Sequence, residues 1–176
     1  MQPSHVHVRV PPDIAAKTAK TFSILGGPSM ILGLALAAAV PALGYAFPTT
    51  TQPMRAITAA LGAVNGMCLL GSGAALLLGA QSISDGYFDV ARSGPALRFL
   101  HWTHVGALFS VILMTTFSTM SLNTAVPAYP KDAAVGFLPA TALYLVPPFA
   151  GGILAAINGV AGRRLLNPAR WNKYHR

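Results

Sequence analysis

Charged residues are scarce in this chain of 176 amino acids, of which only 12 are Lys or Arg and 4 are Asp or Glu. They make up 9% of the sequence, against about 25% in an ordinary soluble domain. A soluble fold of this size needs far more polar surface than the sequence supplies. Disorder is excluded as well, because it requires low hydrophobicity and a high density of charge. The composition therefore predicts a membrane protein.

Side chains that carry out chemistry are also few. Glutamate is absent, and the acids Asp13, Asp85, Asp89 and Asp132 lie outside the apolar core of every predicted helix. Proton relays, ion-coupled transporters and voltage sensors place ionisable groups inside the membrane. The sequence also lacks clusters of metal ligands, paired carboxylates and a glycine loop of the kind that binds phosphate. We therefore expect no catalytic residues, no metal site and no enzymatic activity of its own.

The single cysteine, Cys68, lies in the middle of an apolar stretch. It has no partner in this sequence for a disulfide, and an apolar environment makes a thiol unreactive. We expect Cys68 to serve packing, and nothing in the sequence indicates an oxidising compartment.

Four long stretches carry no charge at all. Residues 21–54, 56–84, 99–130 and 133–162 contain no Lys, Arg, Asp or Glu, and each exceeds the roughly 20 residues that cross a bilayer. The run from Ile31 to Val40 is apolar at every position instead of alternating, which favours helices. We predict an all-α integral membrane four-helix bundle, with helices at about 24–47, 57–80, 97–120 and 137–161.

Two shorter segments flank the predicted transmembrane domain of residues 23–162. In residues 1–22, Pro11 and Pro12 precede Asp13, a pattern that suits the start of a helix, and we predict a short interfacial helix there. Residues 163–176 are rich in basic and aromatic side chains, and we predict that they anchor the chain at the membrane interface.

The basic residues are divided unevenly between the two sides that four crossings define. Ten lie in the N-terminal segment, the connection between the second and third helices, or the C-terminal segment, whereas only Arg55 and Lys131 lie opposite. By the positive-inside rule, both termini are expected in the cytoplasm, or in the matrix or stroma of an organelle. The residues predicted at the interface and on lipid headgroups are Arg92, Arg98, Trp102, Arg163, Arg164, Arg170 and Trp171.

The net charge of +8 does not indicate binding to nucleic acid. The basic residues flank the predicted helices, where they fix topology and attract anionic phospholipids. We therefore expect structural phospholipids as ligands and no nucleic-acid partner.

Small residues recur every four positions in the second and fourth predicted helices, and one asparagine accompanies each set. Such stripes let helix backbones approach closely, because van der Waals contact drives association in lipid. The residues predicted to pack the helices are Gly62, Asn65, Gly66, Gly151, Ala155, Asn158 and Gly159. We expect packing within the chain, with the two asparagines hydrogen-bonded to each other or to a partner. Contact with another subunit is the alternative.

The sharpest candidate for cofactor chemistry is the start of the third helix, which contains His101 and His104. Their spacing of three places both imidazoles on one helical face. The string Arg-x-x-His-Trp that begins at Arg98 is similar to the opening of a haem-bearing helix in bacterial cytochrome b561-type proteins. This resemblance, which covers about ten residues, implies that haem b binds through His101 or His104.

The rest of the chain departs from that pattern. The other histidines, His5, His7 and His175, lie near the termini, so no second predicted helix supplies an opposing ligand. Haem or quinone binding would therefore need a ligand from another chain, as between the small anchor subunits of succinate dehydrogenase-like complexes. The favoured interpretation is interfacial hydrogen bonding by the imidazoles, and the contact with haem or quinone is the alternative. In a photosynthetic complex, either imidazole would serve as a chlorophyll ligand.

Prolines suggest a transporter as a further hypothesis. Pro28 and Pro41 lie in the first predicted helix, and Pro139, Pro147 and Pro148 lie in the fourth. Interrupted helices in matching positions mark substrate sites in transporters. The lack of ionisable groups in the predicted membrane core disfavours this hypothesis.

Taken together, the size, the four helices and the scarcity of reactive groups predict a non-catalytic accessory or assembly subunit of a large energy-converting membrane complex. We expect a respiratory-chain complex of the mitochondrial inner membrane, with both termini in the matrix. The expected partners are other membrane subunits and phospholipids. We expect no cofactor of its own, and haem b or quinone only at a shared interface. An electron-transfer anchor, a photosynthetic subunit and a small transporter are the alternatives.

Overall fold

The computed structural model describes residues 7–46, 52–84, 87–125 and 134–171. Most of them belong to four long helices. These are α1 (Pro12–Ala46), α2 (Gln52–Gln81), α3 (Val90–Ala125) and α4 (Ala134–Leu165). The short helix α5 (Pro168–Trp171) follows α4, and three strands complete the fold: β1 (His7–Arg9), β2 (Ile83–Ser84) and β3 (Tyr87–Asp89).

Three of the four predicted crossings are confirmed as helices that are long and apolar enough to span a membrane. The qualifying segments are Pro12–Val40 in α1, Ala56–Gln81 in α2 and Val90–Phe117 in α3. Helix α4 has 32 residues, but its side chains before Val146 lie outside the described part of the chain. Helices α2, α3 and α4 extend beyond the predicted bounds at both ends and α1 at its beginning, because apolar content marks the part of a helix suited to lipid and not its full length.

The predicted short interfacial helix at residues 14–22 is not a separate element. Helix α1 begins at Pro12 and continues without a break through Pro28 to Ala46. Proline suits the first position of a helix, where its missing N–H has no acceptor in any case. The amide of Ala15 donates to the carbonyl of Pro11 at 2.9 Å and closes the first turn. The basic first turns and the first crossing therefore form one helix.

The described residues are mostly helical, as predicted, and a small antiparallel sheet that the all-α prediction did not include is added to the helices. Its strand order is β1-β3-β2, so β3 is the central strand. Phe88 of β3 pairs with Val8 of β1 on one side and with Ile83 of β2 on the other. The sequence carried two signals for this sheet. Residues 5–10 alternate polar and apolar side chains, and the dipeptide Asp-Gly separates β2 from β3. An alternating pattern of only six residues is a weak signal in a sequence with apolar stretches of about 30 residues, and the strand was therefore not predicted.

Asp89 joins the sheet to α3. Its Oδ1 accepts hydrogen bonds from the amides of Ala91 at 2.9 Å and Arg92 at 3.1 Å. This is the arrangement of a helix N-cap, which satisfies amides that have no acceptor within the helix. The other carboxylate oxygen, Oδ2, lies 3.5 Å from Nε of Arg92. One of the four acids of the chain thus sets where α3 begins.

The sheet belongs to a buried apolar cluster, the end cluster, at one end of the helices. It contains Val8, Val10, Ala15, Phe22, Ala75, Leu76, Ile83, Phe88, Ala96, Leu100, Leu166 and Trp171. These residues come from the N-terminal strand, the α2–α3 connection, α5 and the adjoining ends of the long helices. The N-terminal strand, the α2–α3 connection and α5 therefore lie at the same end of the molecule, as the distribution of basic residues predicts.

Trp171 is the largest side chain of the end cluster, and its position corrects the prediction that it contacts lipid headgroups. Its ring is fully buried and stacks on Phe88, with the ring centroids 5.7 Å apart. Its Nε1–H donates to the carbonyl of Leu165 at 2.9 Å. Burial is possible because the chain turns back after α4 and brings α5 against the sheet.

The two tryptophans provide a matched test of the end cluster. We expect Trp171→Ala to lower the free energy of unfolding by about 3–5 kcal/mol, because it leaves a large cavity beside Phe88. Trp102 is 69% exposed on α3, and we expect Trp102→Ala to change the unfolding free energy by less than about 0.5 kcal/mol. Unfolding of the purified protein in detergent would measure both. Equal losses would contradict the assignment of Trp171 to a structural core.

Candidate functional site

The outer surface of the helices is apolar, and their interior contains small and polar side chains. Ile31 on α1 is 74% exposed and Phe109 on α3 is 63% exposed. In contrast, the residues described include these fully or nearly fully buried polar ones: Thr18, Thr58, Asn65, Ser72, Ser82, Ser93, Thr103, Ser110 and Asn158. This distribution suits lipid as the solvent, because lipid does not drive large apolar side chains inward.

The predicted glycine pair on α2 packs against α1. A Cβ added at Gly66 would lie 2.5 Å from the amide nitrogen of Ala37 and 2.9 Å from the carbonyl oxygen of Gly33. A Cβ added at Gly62 would lie 2.5 Å from a methyl carbon of Val40 and 3.2 Å from Pro148 of α4. The absence of side chains at these positions lets the backbones of α1 and α2 touch.

The small residues of α4 pack against three other helices. A Cβ added at Gly151 would lie 2.6 Å from Leu36 on α1 and 3.8 Å from Leu69 on α2. A Cβ at Gly159 would lie 2.5 Å from the Cβ of His104 on α3. Ala155 is fully buried in a second apolar cluster between the helices. The predicted stripes thus pack within this chain.

The structure does not pair the two predicted asparagines with each other. Asn158 on α4 donates from Nδ2 to the hydroxyl of Ser29 on α1 at 2.9 Å and to that of Ser72 on α2 at 3.2 Å. One amide thereby links three helices. Asn65 on α2 donates to the sulfur of Met114 on α3 at 3.5 Å, and its Oδ1 is buried without a hydrogen-bond partner.

Three serines that the sequence reasoning missed take part in these contacts between helices. Ser29 and Ser72 receive the bonds from Asn158, and Ser110 on α3 donates to the carbonyl of Leu61 on α2 at 3.0 Å. The available signal was a hydroxyl within each apolar stretch. Because a serine also bonds to the carbonyl three or four residues earlier in its own helix, the sequence alone did not select its partner.

His104 bridges α3 and α4 through one side of its ring. Its Nδ1 lies 2.9 Å from the carbonyl oxygen of Ala156. Because a carbonyl only accepts, Nδ1 carries the proton, and in a neutral ring Nε2 is an acceptor. In this form Nε2 can ligate a metal or accept a hydrogen bond, but it cannot donate one to the carbonyl of a quinone.

His101 is in a different situation. Nη1 of Arg163 lies 3.2 Å from its Nδ1, so the arginine donates and His101 Nδ1 accepts. A neutral His101 then carries its proton on Nε2 and has no free nitrogen lone pair for a metal. The ring is exposed and lies edge-on to Trp102, with centroids 5.5 Å apart. The two histidines therefore do not form one binding site, although both lie on the side of α3 that faces α4.

The predicted interface residues lie around the same end of the molecule as the end cluster, as far as they are described. Arg92, Arg98 and Arg164 are exposed, and Arg163 is half-buried because it contacts His101 and the carbonyl of Gly159. The side chain of Arg170 lies outside the described part of the chain. Together with exposed Lys17 and Lys20 on α1, these side chains give this end a positive charge.

An apolar groove runs along the outside of the molecule between α3 and α4, and we call it the α3–α4 groove. Its volume is about 460 Å³. His104, Leu108 and Val111 form its wall on α3, and seven residues between Gly152 and Arg164 form its wall on α4. Among the described residues that line the groove, Arg164 is the only charged one.

Comparison of the chain with protein-family models, curated protein sequences and solved structures finds no match. Within the described residues, no group of three or more His, Cys, Asp or Glu side chains is placed to hold a metal ion.

Two glycines provide a matched test of the contact between α1 and α2. We expect Gly66→Ala to destabilise the protein by about 1–3 kcal/mol, because the added methyl meets the backbone of α1. A Cβ added at Gly27 meets nothing within 4 Å. We expect Gly27→Ala to leave stability unchanged or raise it by up to about 1 kcal/mol, since alanine favours the helix. Thermal unfolding in detergent compares the two, and equal effects would contradict close packing at Gly66.

Proposed function

We propose that this protein is a four-helix transmembrane bundle that serves as a non-catalytic accessory subunit of a larger membrane complex. More specifically, the larger complex that we propose is an energy-converting one, and a respiratory complex of the mitochondrial inner membrane is the first candidate. Both termini would then face the matrix. The observation that carries the proposal is that Asn158 and Ser110, in the interior, form hydrogen bonds that hold helices together.

The interior supports a structural role because several of its polar side chains bond to neighbouring helices. Asn158 links α4 to α1 and α2, and Ser110 links α3 to α2. A transport pathway needs polar groups that face a passage for the solute. Here the helices pack closely at glycines and leave no room for such a passage at Gly152. A methyl group added at Gly152 would collide with Val111 and Asn65. The predicted breaks at Pro28, Pro147 and Pro148 are also absent, since α1 and α4 continue through them.

The exposed face of α3 is the surface that we assign to a partner subunit. Trp102, Val105, Phe109 and Ile112 follow one another at spacings of three and four residues and are all exposed. Lipid tolerates such a face, but aromatic residues are also the usual anchors of protein interfaces. The positive end of the molecule would bind acidic surfaces of water-exposed subunits on the same side.

The α3 face allows a direct test of the accessory role. Native membranes are solubilised gently, complexes are separated on a native gel, and the band that holds this chain is studied by mass spectrometry and absorbance. We expect co-migration with a large assembly. We expect the double variant Trp102→Ala with Phe109→Ala to leave that assembly, because it removes two anchors from the contact.

The control for this test is the double variant Ile31→Ala with Leu34→Ala, which shortens two exposed side chains on α1. It is expected to remain in the assembly. Migration of the wild type as a single chain with detergent would contradict the accessory role and make solute transport the next activity to test.

A further inference from the structure

The α3–α4 groove exists because α4 carries small residues along one face. Gly152, Ala156 and Ala161 line the groove, whereas bulkier side chains from both helices border it. The seven lining residues of α4, from Gly152 to Arg164, are spaced so that all of them lie on one face of the helix. The α3–α4 groove is therefore long, parallel to the helices and open to the exterior.

The length of the groove matches one leaflet of a bilayer. Gly152 and Arg164 are twelve residues apart on α4, which corresponds to about 18 Å along a helix. Half of a bilayer's hydrocarbon core is about 15 Å thick. A groove of this length accommodates one extended acyl chain from its terminal methyl to the level of its headgroup.

The positive charge of Arg164 at the end of the α3–α4 groove favours a lipid with an anionic headgroup. Arg164 is exposed at the positive end of the molecule, where α4 nears its last residue. In the described part of the chain, the ion pair is between Asp89 and Arg92, so Arg164 has no carboxylate partner there. Arg163, its neighbour, is already engaged with His101 and Gly159. A phosphate is the anion that membranes supply at this depth.

We propose that the α3–α4 groove is a binding site for an anionic phospholipid, with one acyl chain in the groove and the phosphate on Arg164. The proposal is independent of membership in a larger complex. A haem at His104 fits the groove less well. Ligation by two imidazoles needs a second axial ligand, and the described lining of the groove contains none.

The test uses native mass spectrometry of the purified protein titrated with phosphatidylglycerol or phosphatidylcholine of identical acyl chains. We expect the wild type to retain one phosphatidylglycerol about fivefold more strongly than phosphatidylcholine, because one cation near the membrane surface contributes about this much to attraction. Arg164→Gln is expected to abolish the preference. Ala156→Leu fills the groove and is expected to weaken retention of both lipids.

Matched controls are Lys20→Gln, which removes a cation at the same end, and Ala35→Leu, which enlarges an exposed residue on α1. Both are expected to bind as the wild type does. Equal retention of the two lipids by the wild type would overturn the proposal, as would an unchanged preference in Arg164→Gln. A haem absorption band that disappears in His104→Ala would also overturn it and assign the groove to haem.

Discussion

The close approach of α1 and α2 is the contact on which the rest of the structure depends. In lipid, large apolar side chains gain nothing by moving inward, so helices associate where their backbones can touch and where polar groups find partners. Gly33 and Gly66 allow that contact. Once α1 and α2 are in place, Ser29 and Ser72 lie where the amide of Asn158 reaches both, and α4 is fixed by the same two hydroxyls.

The end cluster is packed differently, around large aromatic side chains. Phe88 of the three-stranded sheet stacks on Trp171, and burial of such side chains is favourable where water reaches this end of the molecule. The sheet ties the N-terminal strand to the α2–α3 connection, and α5 closes the cluster from the other terminus. The molecule therefore contains two buried regions. Glycines pack with Leu36 and Leu69 between the long helices, and the aromatic residues Phe22, Phe88 and Trp171 lie in the end cluster. Packing of this kind suits a structural role and leaves apolar outer faces for lipid and neighbours.

The sequence predicted the helices well because the absence of charge over about 30 residues has few explanations other than membrane crossing. It predicted which segments share an end, since basic residues mark one side. It missed the sheet, whose signal spans few residues, and it placed Trp171 at the surface because burial depended on the turn after α4. It also could not separate His101 from His104. Their opposite roles follow from Arg163 and the carbonyl of Ala156, which lie more than 50 positions away on another helix.

The central claim is that four helices cross a membrane with both termini on one side, and cysteine accessibility in sealed vesicles tests it most directly. In a Cys68→Ala background, single cysteines replace Lys20, Arg92, Arg55 or Lys131 and are labelled with an impermeant thiol reagent. The account predicts that Lys20→Cys and Arg92→Cys react from one side, and that Arg55→Cys and Lys131→Cys react from the other. Labelling of Lys20→Cys and Lys131→Cys from the same side would contradict it.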